Sequence, residues 1–438
     1  MLGCGVVGSS VARLLQEDSG DFAARSGANL KLVKVAVKNL STKRDFVSSS
    51  ILTDDSASVV SDPSIDIVIE VMGGIEPARE LILSAIKNGK SIITANKALL
   101  ALHGAELFEA ADKNKVDLYY EAAVGGAIPI LRPMRESIVG DHVHRVMGIV
   151  NGTTNYILTK MDEEGSAFAD VLKEAQSLGF AEADPTADIE GHDAAAKAAI
   201  LAGLAFHSRV TSNDVYCEGI SKISARDVEV ARDMDHVIKL LAIAELTSNN
   251  QVSVRVHPTL ISRQHPLASV RNAFNAVFVE AESAGELMFY GRGAGGAPTA
   301  SAILGDLIAI ARNKTRGGEG HGESDYADLA IAPIDDVMSR YLIRLDVADK
   351  PGVLATVAQL FASHTVSIET VRQSGRGDSA ELIVATHSAP EASLKKTVTA
   401  LAQSDVVKSV ESVLRIEGSS KRVFSKNALN LAPTNGAE

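Results

Sequence analysis

Short runs of β-branched and apolar residues alternate with amphipathic stretches through the first third of the chain. The runs predict strands at Lys31–Val37, Ile65–Val71, Ser91–Thr94 and Val116–Tyr120. Between them, apolar positions recur at helical spacing and predict helices at Ser9–Gln16, Glu76–Asn88 and Ala101–Lys113. Strands that alternate with helices form βαβ units around a parallel sheet. Residues 1–132 are therefore predicted to form a Rossmann-like α/β domain.

The pattern changes at about residue 133. Strand-like runs at Arg145–Val150, Gln251–Val256 and Ala276–Ala281 mix with long helices rich in alanine and leucine. This mixture indicates a sheet with helices on one face, and we predict a separate α+β domain over residues 133–315.

The last quarter has three parts. Residues 316–338 are polar and glycine-rich, as is typical of a linker, and residues 418–438 lack hydrophobic periodicity and are predicted to be disordered. Between them, residues 339–417 predict the following elements in order: strand Tyr341–Val347, helix Val353–His364, strand Val366–Gln373, strand Glu381–Thr386, helix Glu391–Ala402 and strand Val406–Ile416. This is a ferredoxin-like βαββαβ domain.

Composition narrows the class of protein. The 438 residues are 46% hydrophobic and 22% charged, with a net charge of −12 and two cysteines. The negative charge argues against binding to nucleic acid or to an anionic membrane surface. No apolar run is long enough to span a bilayer, and no signal peptide is evident. Two cysteines cannot build a disulfide framework, and we expect a cytoplasmic protein.

A glycine-rich turn opens the chain. Gly3, Gly5 and Gly8, with Val6 and Val7 between them, match the G-x-G-x-x-G pattern that binds the pyrophosphate of a dinucleotide at a helix N-terminus. The pattern normally follows a strand, yet only Met1 and Leu2 precede it. We therefore expect a first strand that is truncated or reduced to a stub, with a true start upstream.

The end of the second strand bears on the choice of nucleotide. An NAD site usually has an acidic residue there, whereas this strand ends in Lys38, with Lys43 and Arg44 close behind. Cations would attract a 2′-phosphate, which favours NADP over NAD. The alternative is that these residues are solvated loop charges.

One segment, Phe180–Ile200, places five carboxylates ahead of a single lysine. Asp193 and Lys197 are four residues apart and share a helix face, and Glu190 lies one turn back. A lysine in an alanine-rich run is partly desolvated, while nearby carboxylates favour its charge. Such an ammonium can protonate a developing alkoxide. The alternative is an ordinary i,i+4 ion pair on a helix surface.

Four other reactive side chains are given no role. His142 and His144 alternate on a strand without further ligands at metal spacing, so a zinc site is not expected. His192 is interpreted as a helix-start residue. Cys217 has no neighbouring base and is interpreted as a buried small hydrophobe, which argues against a covalent thiol mechanism.

Taken together, the motifs resemble those of a known family. Gly3–Gly8 and the Gly179–Lys197 segment occur with three further motifs: Thr94-Ala-Asn-Lys97, Tyr120-Glu-Ala-Ala-Val-Gly-Gly-Ala-Ile-Pro129 and Val150-Asn-Gly-Thr-Thr-Asn155. These five motifs, in their order along the chain, closely resemble those of homoserine dehydrogenase, and the resemblance extends to about residue 315. From Tyr341 onward the chain resembles an ACT domain, with Asp349-Lys-Pro-Gly-Val-Leu354 as its signature turn. These residues include no segment that resembles an aspartate kinase, so we expect the monofunctional form of the family.

The resemblance implies the reversible reduction of L-aspartate 4-semialdehyde to L-homoserine with NAD(P)H, in threonine, methionine and isoleucine biosynthesis. It also implies that residues 133–315 bind substrate and dimerise. Lys197 would donate the proton, and Lys97 would lie near the same oxygen and the nicotinamide. The remaining implied site residues are Glu182 and Asp193 for the substrate ammonium, Thr153 and Gly152 for its pocket, and Gly179 and Gly295 for contact with the cofactor or closure of the cleft.

Two ligands besides the cofactor are implied by the resemblance. A monovalent cation, usually sodium, would bind main-chain oxygens of Glu121, Val124, Gly126 and Ile128. L-Threonine would bind the ACT domain and inhibit the enzyme through contacts in a homodimer or homotetramer. The alternative is that this domain only mediates assembly.

Two other functions stay open at this stage. One is a catalytically silent amino-acid sensor, in which the shortened first strand abolishes nucleotide binding. The other is a different Rossmann oxidoreductase that acts on a C–N bond.

Overall fold

A computed structural model describes residues 1–320, 322, 327–375 and 380–418 of the chain. The predicted disordered tail, apart from residue 418, lies outside the described residues. The chain divides into two compact units. The first takes Met1–Ala244 and Val254–Asp328, and the second takes Glu245–Ser253 together with the described residues from Leu329 onward.

The first unit begins with the predicted alternation of helices and strands. Its elements are α1 (Val6–Glu17), α2 (Ser19–Ser26), β1 (Val35–Ala36), β2 (Leu52–Thr53), α3 (Ser56–Ser61), β3 (Ile67–Glu70), α4 (Ala78–Lys87), β4 (Ser91–Thr94), α5 (Lys97–Asn114) and β5 (Leu118–Tyr119). β1 pairs with β2, and β3 pairs with β4 and β4 with β5, all in parallel. The prediction of a parallel sheet is confirmed.

Leu2 joins the two parts of this sheet. Its N–H donates to Ile69 O at 2.8 Å, and its carbonyl accepts from Val71 N at 2.9 Å. On the other side it bridges to Ala36, whose N–H donates to Met1 O at 2.9 Å. The order is therefore β2-β1-Leu2-β3-β4-β5, and the central position is held by the expected stub.

The middle of the chain builds a second sheet. Its elements are β6 (Val143–Ile149), α6 (Gly152–Glu164), α7 (Phe168–Ser177), α8 (Thr186–Ile189), α9 (His192–Phe206), β7 (Tyr216–Cys217), α10 (Ala225–Asp233), β8 (His236–Leu246), β9 (Val252–Ser262), β10 (Phe274–Ala281) and β11 (Gly285–Arg292). The strand order is β11-β10-β6-β8-β9, with β7 beside β9. α6 packs against β10 and α9 against β6, so both helices approach the sheet near its centre.

The last helix of this unit, α11 (Gly296–Thr315), returns to the first sheet. It packs against α1 and α2. Its buried residues Ile303 and Ile310 share a core with Val11, Ile69 and Ile93. A helix at the end of the predicted 133–315 region therefore covers the nucleotide-binding sheet.

The second unit has the predicted βαββαβ order. Its elements are β12 (Met338–Val347), α12 (Val353–Ser363), β13 (Ile368–Ser374), β14 (Ala380–Thr386), β15 (Ala389–Pro390), α13 (Glu391–Ala402) and β16 (Val407–Glu417). The strands follow the antiparallel order β16-β12-β14-β13, with β15 beside the start of β12. The predicted C-terminal domain fold is confirmed. Among the described residues of both units, no helix is long and apolar enough to cross a membrane.

Candidate active site

The glycine turn before α1 is shaped by close backbone contacts. Gly3 has a φ of +95°, and a Cβ there would lie 2.7 Å from Val71 O. A Cβ at Gly8 would lie 2.8 Å from Gly3 O, whereas one at Gly5 would meet nothing within 4 Å. Val6, the first residue of α1, is 77% exposed. The N-terminus of α1 is therefore open for a pyrophosphate group.

The three cations predicted to select the nucleotide differ in their surroundings. Lys38 is exposed two residues after β1. Lys43 pairs with Asp45 at 3.2 Å. Arg44 folds back on its own loop and donates to Asn39 O at 3.1 Å and Thr42 O at 2.7 Å. Lys38 is thus the best placed of the three to meet a ribose 2′ substituent.

The two predicted catalytic lysines converge on one carboxylate. Lys197 Nζ donates to Asp193 Oδ2 at 2.6 Å and to Val150 O at 2.6 Å. Lys97 Nζ lies 3.0 Å from the other oxygen, Asp193 Oδ1. The Lys197 side chain is 10% exposed and that of Lys97 is 41% exposed. One lysine is therefore held in the protein, while the other is partly open to solvent.

Helix starts explain this arrangement. Asn96 accepts from Leu99 N at 3.2 Å and caps α5, which makes Lys97 the first residue of that helix. Asp193 lies in the first turn of α9, where a negative charge is favoured by the helix dipole. Lys197 follows one turn later on the same face. A lysine at the start of a helix is unfavourable by itself, and Asp193 offsets that charge.

Two further residues, Asn151 and Asp188, extend the cluster. Asn151 Nδ2 donates to Asp193 Oδ2 at 2.9 Å and to Asp188 Oδ1 at 2.7 Å. Its Oδ1 accepts from Thr154 N at 2.9 Å and caps α6. Both residues lie within the motifs named above, but neither was predicted to have a role. An asparagine one residue before a helical run is an N-cap signal, and this signal could have identified Asn151.

Burial acts on the two aspartates with different results. For Asp193, burial raises the pKa, but the opposing charges of Lys197 and Lys97 outweigh it and hold the pKa well below its usual range. For Asp188, burial raises the pKa, and hydrogen bonds from Asn151 and Thr153 offset this rise only in part, so the pKa stays above its usual value. Asp193 is thus firmly ionised, whereas Asp188 takes up a proton more readily than a free aspartate.

The other predicted substrate residues lie on both sides of this cluster. Gly152 and Thr153 open α6, and Thr153 Oγ1 donates to Phe180 O at 2.6 Å. Gly179, with a φ of +74°, comes directly before Phe180. Glu182 is exposed in the following bend, where its carbonyl accepts from Gln176 Nε2 at 3.1 Å. No contact between the Glu182 carboxylate and the lysines is found among the described residues.

The four residues predicted to bind a cation span a tight turn after β5. Gly125 and Gly126 both have positive φ, 73° and 57°. The Glu121 side chain accepts from the backbone N–H groups of Ile130, Leu131 and Arg132 at 2.7 to 2.9 Å. These bonds fix the two ends of the turn to each other. The described residues contain no cluster of three or more His, Cys, Asp or Glu side chains suited to a metal.

The turn also touches the glycine-rich loop 291–296. Ala127 N donates to Arg292 O at 3.1 Å, and a Cβ at Gly126 would lie 2.5 Å from Gly293 O. Gly295, with a φ of +125°, immediately precedes α11. A Cβ at Gly296 would lie 2.9 Å from Val6 Cγ1. The loop therefore runs from the predicted cation turn to the start of α1.

Cys217 is ill suited to nucleophilic chemistry. Its Sγ donates to Glu190 O at 3.2 Å. Burial, with smaller effects of Glu190 and Glu218, raises the pKa of its thiol to about 11. At neutral pH almost no thiolate is present, so this residue does not offer a route through a covalent thiol intermediate.

An open dinucleotide turn and, in the same unit, a lysine–carboxylate cluster are the features expected of a nucleotide-dependent oxidoreductase. Family models agree with this class: the NAD-binding domain of homoserine dehydrogenase matches residues 3–121, homoserine dehydrogenase matches 129–308, and the ACT domain matches 341–405. The chain belongs to the homoserine dehydrogenase family.

Individual relatives support this assignment. The chain is 55% identical to a homoserine dehydrogenase of Corynebacterium glutamicum over 421 residues, covering 95% of each chain. It is similar to a crystal structure of a homoserine dehydrogenase from Thiobacillus denitrificans, with a TM-score of 0.91, 40% identity, and coverage of 95% of this chain and 97% of that one. A hyperthermophilic archaeal homoserine dehydrogenase in complex with NADPH matches with a TM-score of 0.61 and 27% identity, over 70% of this chain and 95% of that one.

Proposed function

We propose that the chain reduces L-aspartate 4-semialdehyde to L-homoserine, reversibly, with Lys197 as the proton donor. The convergence of Lys197 and Lys97 on Asp193, with N–O distances of 2.6 and 3.0 Å, supports this role best. Hydride arriving at an aldehyde carbon leaves negative charge on the oxygen. Two ammonium groups held in place stabilise that charge where it develops.

The lysines divide the work according to their surroundings. Among described residues, Lys197 uses two of its three N–H donors on Val150 O and Asp193 Oδ2, which aims the remaining donor. Lys97 begins α5 directly after β4, at the carboxyl edge of the parallel sheet where nucleotides bind. Lys97 therefore supports the aldehyde oxygen from the nicotinamide side.

The acidic residues serve the substrate's own ammonium group. Asp188 and Asp193 share the amide of Asn151, which places two carboxylates on one side of the cluster. Glu182 is proposed to complete this set when substrate binds, and Gly152 and Thr153 line the pocket at the start of α6. Glu182→Gln and Asp188→Asn should raise the KM for homoserine more than they lower kcat. An unchanged KM in both variants would remove them from substrate binding.

NADP is the proposed nucleotide, with Gly3, Gly5, Val6, Val7 and Gly8 at the pyrophosphate and Gly179 and Gly295 closing on the cofactor. Exposed Lys38 supports this preference, because it follows β1 with no acidic residue in the place usual for NAD sites. Homoserine oxidation, followed through the reduced nicotinamide, should have a lower KM for NADP than for NAD, and Lys38→Glu should reverse the order. Equal KM values in the unsubstituted protein would contradict the preference.

A monovalent cation, sodium, is proposed at the main-chain oxygens of Glu121, Val124, Gly126 and Ile128. The support is a turn with two left-handed glycines, fixed at its ends by the Glu121 carboxylate. Hard alkali cations prefer oxygen ligands of this kind. Replacing sodium by a bulky organic cation at constant ionic strength should lower activity. Equal activity in both salts would argue against the site.

L-Threonine is the proposed effector of the ACT domain, acting through a homodimer or homotetramer. Asp349 and Gly352 lie in the exposed turn between β12 and α12, and Gly352 has a φ of +95°. Asp349→Ala should raise the threonine concentration needed for half-inhibition about tenfold and leave uninhibited kcat unchanged. Sedimentation should give a dimer or tetramer. If threonine does not inhibit the unsubstituted enzyme, the proposal is wrong and the alternative, that the domain only mediates assembly, is favoured.

A further inference from the structure

Asn275 has a buried amide group without a hydrogen bond. The residue lies near the start of β10, opposite Gly291 of β11, and is 1% exposed. Neither its Nδ2 nor its Oδ1 has a partner among the described residues. A buried amide that loses its bonds to water and gains none in the protein destabilises the fold. Buried polar groups left unpaired in this way call for an explanation in function, ligand or water.

The amide lies between two parts of the proposed active site. A Cβ at Gly293 would overlap the amide group, and a Cβ at Gly152 would lie 3.5 Å from Oδ1. Gly293 belongs to the glycine-rich loop 291–296, and Gly152 is the first residue of α6. Both neighbours are glycines, so only backbone covers the amide on these two sides.

The other end of the loop reaches the nucleotide turn. A Cβ at Gly296 would lie 2.9 Å from Val6 Cγ1 and 3.2 Å from Val6 O. Gly295 holds a φ of +125°, which side-chain-bearing residues rarely adopt. The loop therefore covers the Asn275 amide at Gly293 and reaches, at Gly296, the first residue of α1, where the pyrophosphate is proposed to bind.

We propose that Asn275 is a positioning residue for the nucleotide-bound enzyme. When nucleotide binds, the loop backbone shifts and the Asn275 amide forms hydrogen bonds with a peptide group of Gly293 or Ala294. An amide side chain carries both a donor and an acceptor, so it can match the C=O and N–H of a peptide. Those bonds satisfy the buried amide, which has no partner among the described residues. This inference rests on nucleotide binding at Gly3–Gly8.

The test replaces the amide and preserves its shape. Asn275→Leu puts two methyl groups where the oxygen and nitrogen stand. We expect an unchanged or higher Tm without nucleotide, because an unsatisfied polar group is removed. The Kd for NADPH should rise about tenfold, as expected for one or two lost neutral hydrogen bonds, and the KM for NADPH should rise with it. The Tm gain on adding NADPH should shrink accordingly.

Asn114→Leu is the matched control, because Asn114 is exposed at the end of α5 and its substitution should leave the Kd unchanged. Asn275→Ala, which also removes the amide, should weaken NADPH binding to the same extent.

Three outcomes would overturn the inference. If Asn275→Leu binds NADPH as tightly as the unsubstituted protein, the amide has no part in nucleotide binding. If Asn275→Leu instead lowers the Tm of the free protein strongly, the amide already has a partner there, such as an ordered water. Failure of the unsubstituted protein to bind NADPH would overturn the nucleotide site and, with it, this inference.

Discussion

Two buried ionic clusters, one in each unit, use similar groups in different ways. In the first unit, Asp193 is shared by two lysines, one of them 41% exposed. In the second, Glu391 is fully buried and accepts from Arg415 at 2.8 and 3.0 Å and from Tyr341 Oη at 2.6 Å. The first cluster joins two lysines and two aspartates and is partly open to solvent at Lys97, whereas the second is closed and pairs one anion with one cation. An open cluster with several charges can meet the charged groups of a substrate, and a closed pair stabilises the fold.

The largest expected effect comes from Lys197→Ala. Loss of a general acid should lower kcat about a thousandfold, or about 4 kcal/mol in barrier height, while the Kd for NADPH stays unchanged. Lys160→Ala is the control, because Lys160 forms an i,i+4 pair with exposed Glu164 at 2.7 Å. That variant should keep full turnover. Steady-state kinetics give kcat and nucleotide titration gives the Kd for both variants. Near-normal turnover of Lys197→Ala would show that Lys197 is not the proton donor and that its pair with Asp193 is an ordinary ion pair.

Glu391→Gln tests the closed cluster. It leaves the Arg415 guanidinium buried without its counter-charge, which should destabilise the second unit by about 3 kcal/mol. The kcat of Glu391→Gln, measured well below the temperature of thermal unfolding, should not change. Asp335→Asn, which breaks the exposed pair between Asp335 and Lys395, should cost less than about 1 kcal/mol. Calorimetry on the three proteins makes the comparison, and equal stabilities would refute a structural role for Glu391.

Asp193→Asn should have a smaller effect on stability that depends on pH. Its partners hold the pKa of Asp193 below the unfolded value, so its contribution is present above about pH 4 and is lost as the pH falls further. At pH 7 we expect the variant to be roughly 2 kcal/mol less stable, as for a lost hydrogen bond to a charged group. Urea unfolding at pH 7 and pH 3.5 should show the difference narrowing. A constant difference would contradict the linkage.

Cys217→Ala should have the smallest effect. Because the pKa of the thiol is raised to about 11, the side chain supplies no nucleophile, and kcat should stay within about twofold. Steady-state kinetics of the variant beside the unsubstituted protein make the measurement. Loss of activity in the alanine variant would point to covalent chemistry and away from direct hydride transfer.

Both domain folds and part of the active site could be predicted from the sequence, but several contacts of the site could not. The βαβ alternation and the βαββαβ block follow from periodicity, which depends on local burial, and both fold types were confirmed. The short elements α2, β2, α3 and β15 were not predicted. The pairing of Asp193 with Lys197 follows from a spacing of four on a helix. The approach of Lys97 does not, because α5 and α9 are brought together only by tertiary packing. The position of Asp188 depends on Asn151, a residue 37 positions away along the chain.

Covering of the first sheet by α11 was also beyond the sequence pattern. Its alanine-rich, apolar surface would suit either sheet, and only the fold shows it against α1. Glu391 illustrates the same limit, since a glutamate at the first position of a helix is typical of an exposed residue. Its burial follows from Tyr341 and Arg415, which come from β12 and β16.

The return of α11 to the opening sheet determines how chimeras of this enzyme can be made. The nucleotide half is not one continuous stretch of gene, since Ile303 and Ile310 fill the same core as Val11 and Ile93. Grafting residues 1–132 of a relative alone would set a foreign sheet against a native helix. If residues 296–315 are exchanged together with residues 1–132, both sides of that core come from the same parent protein.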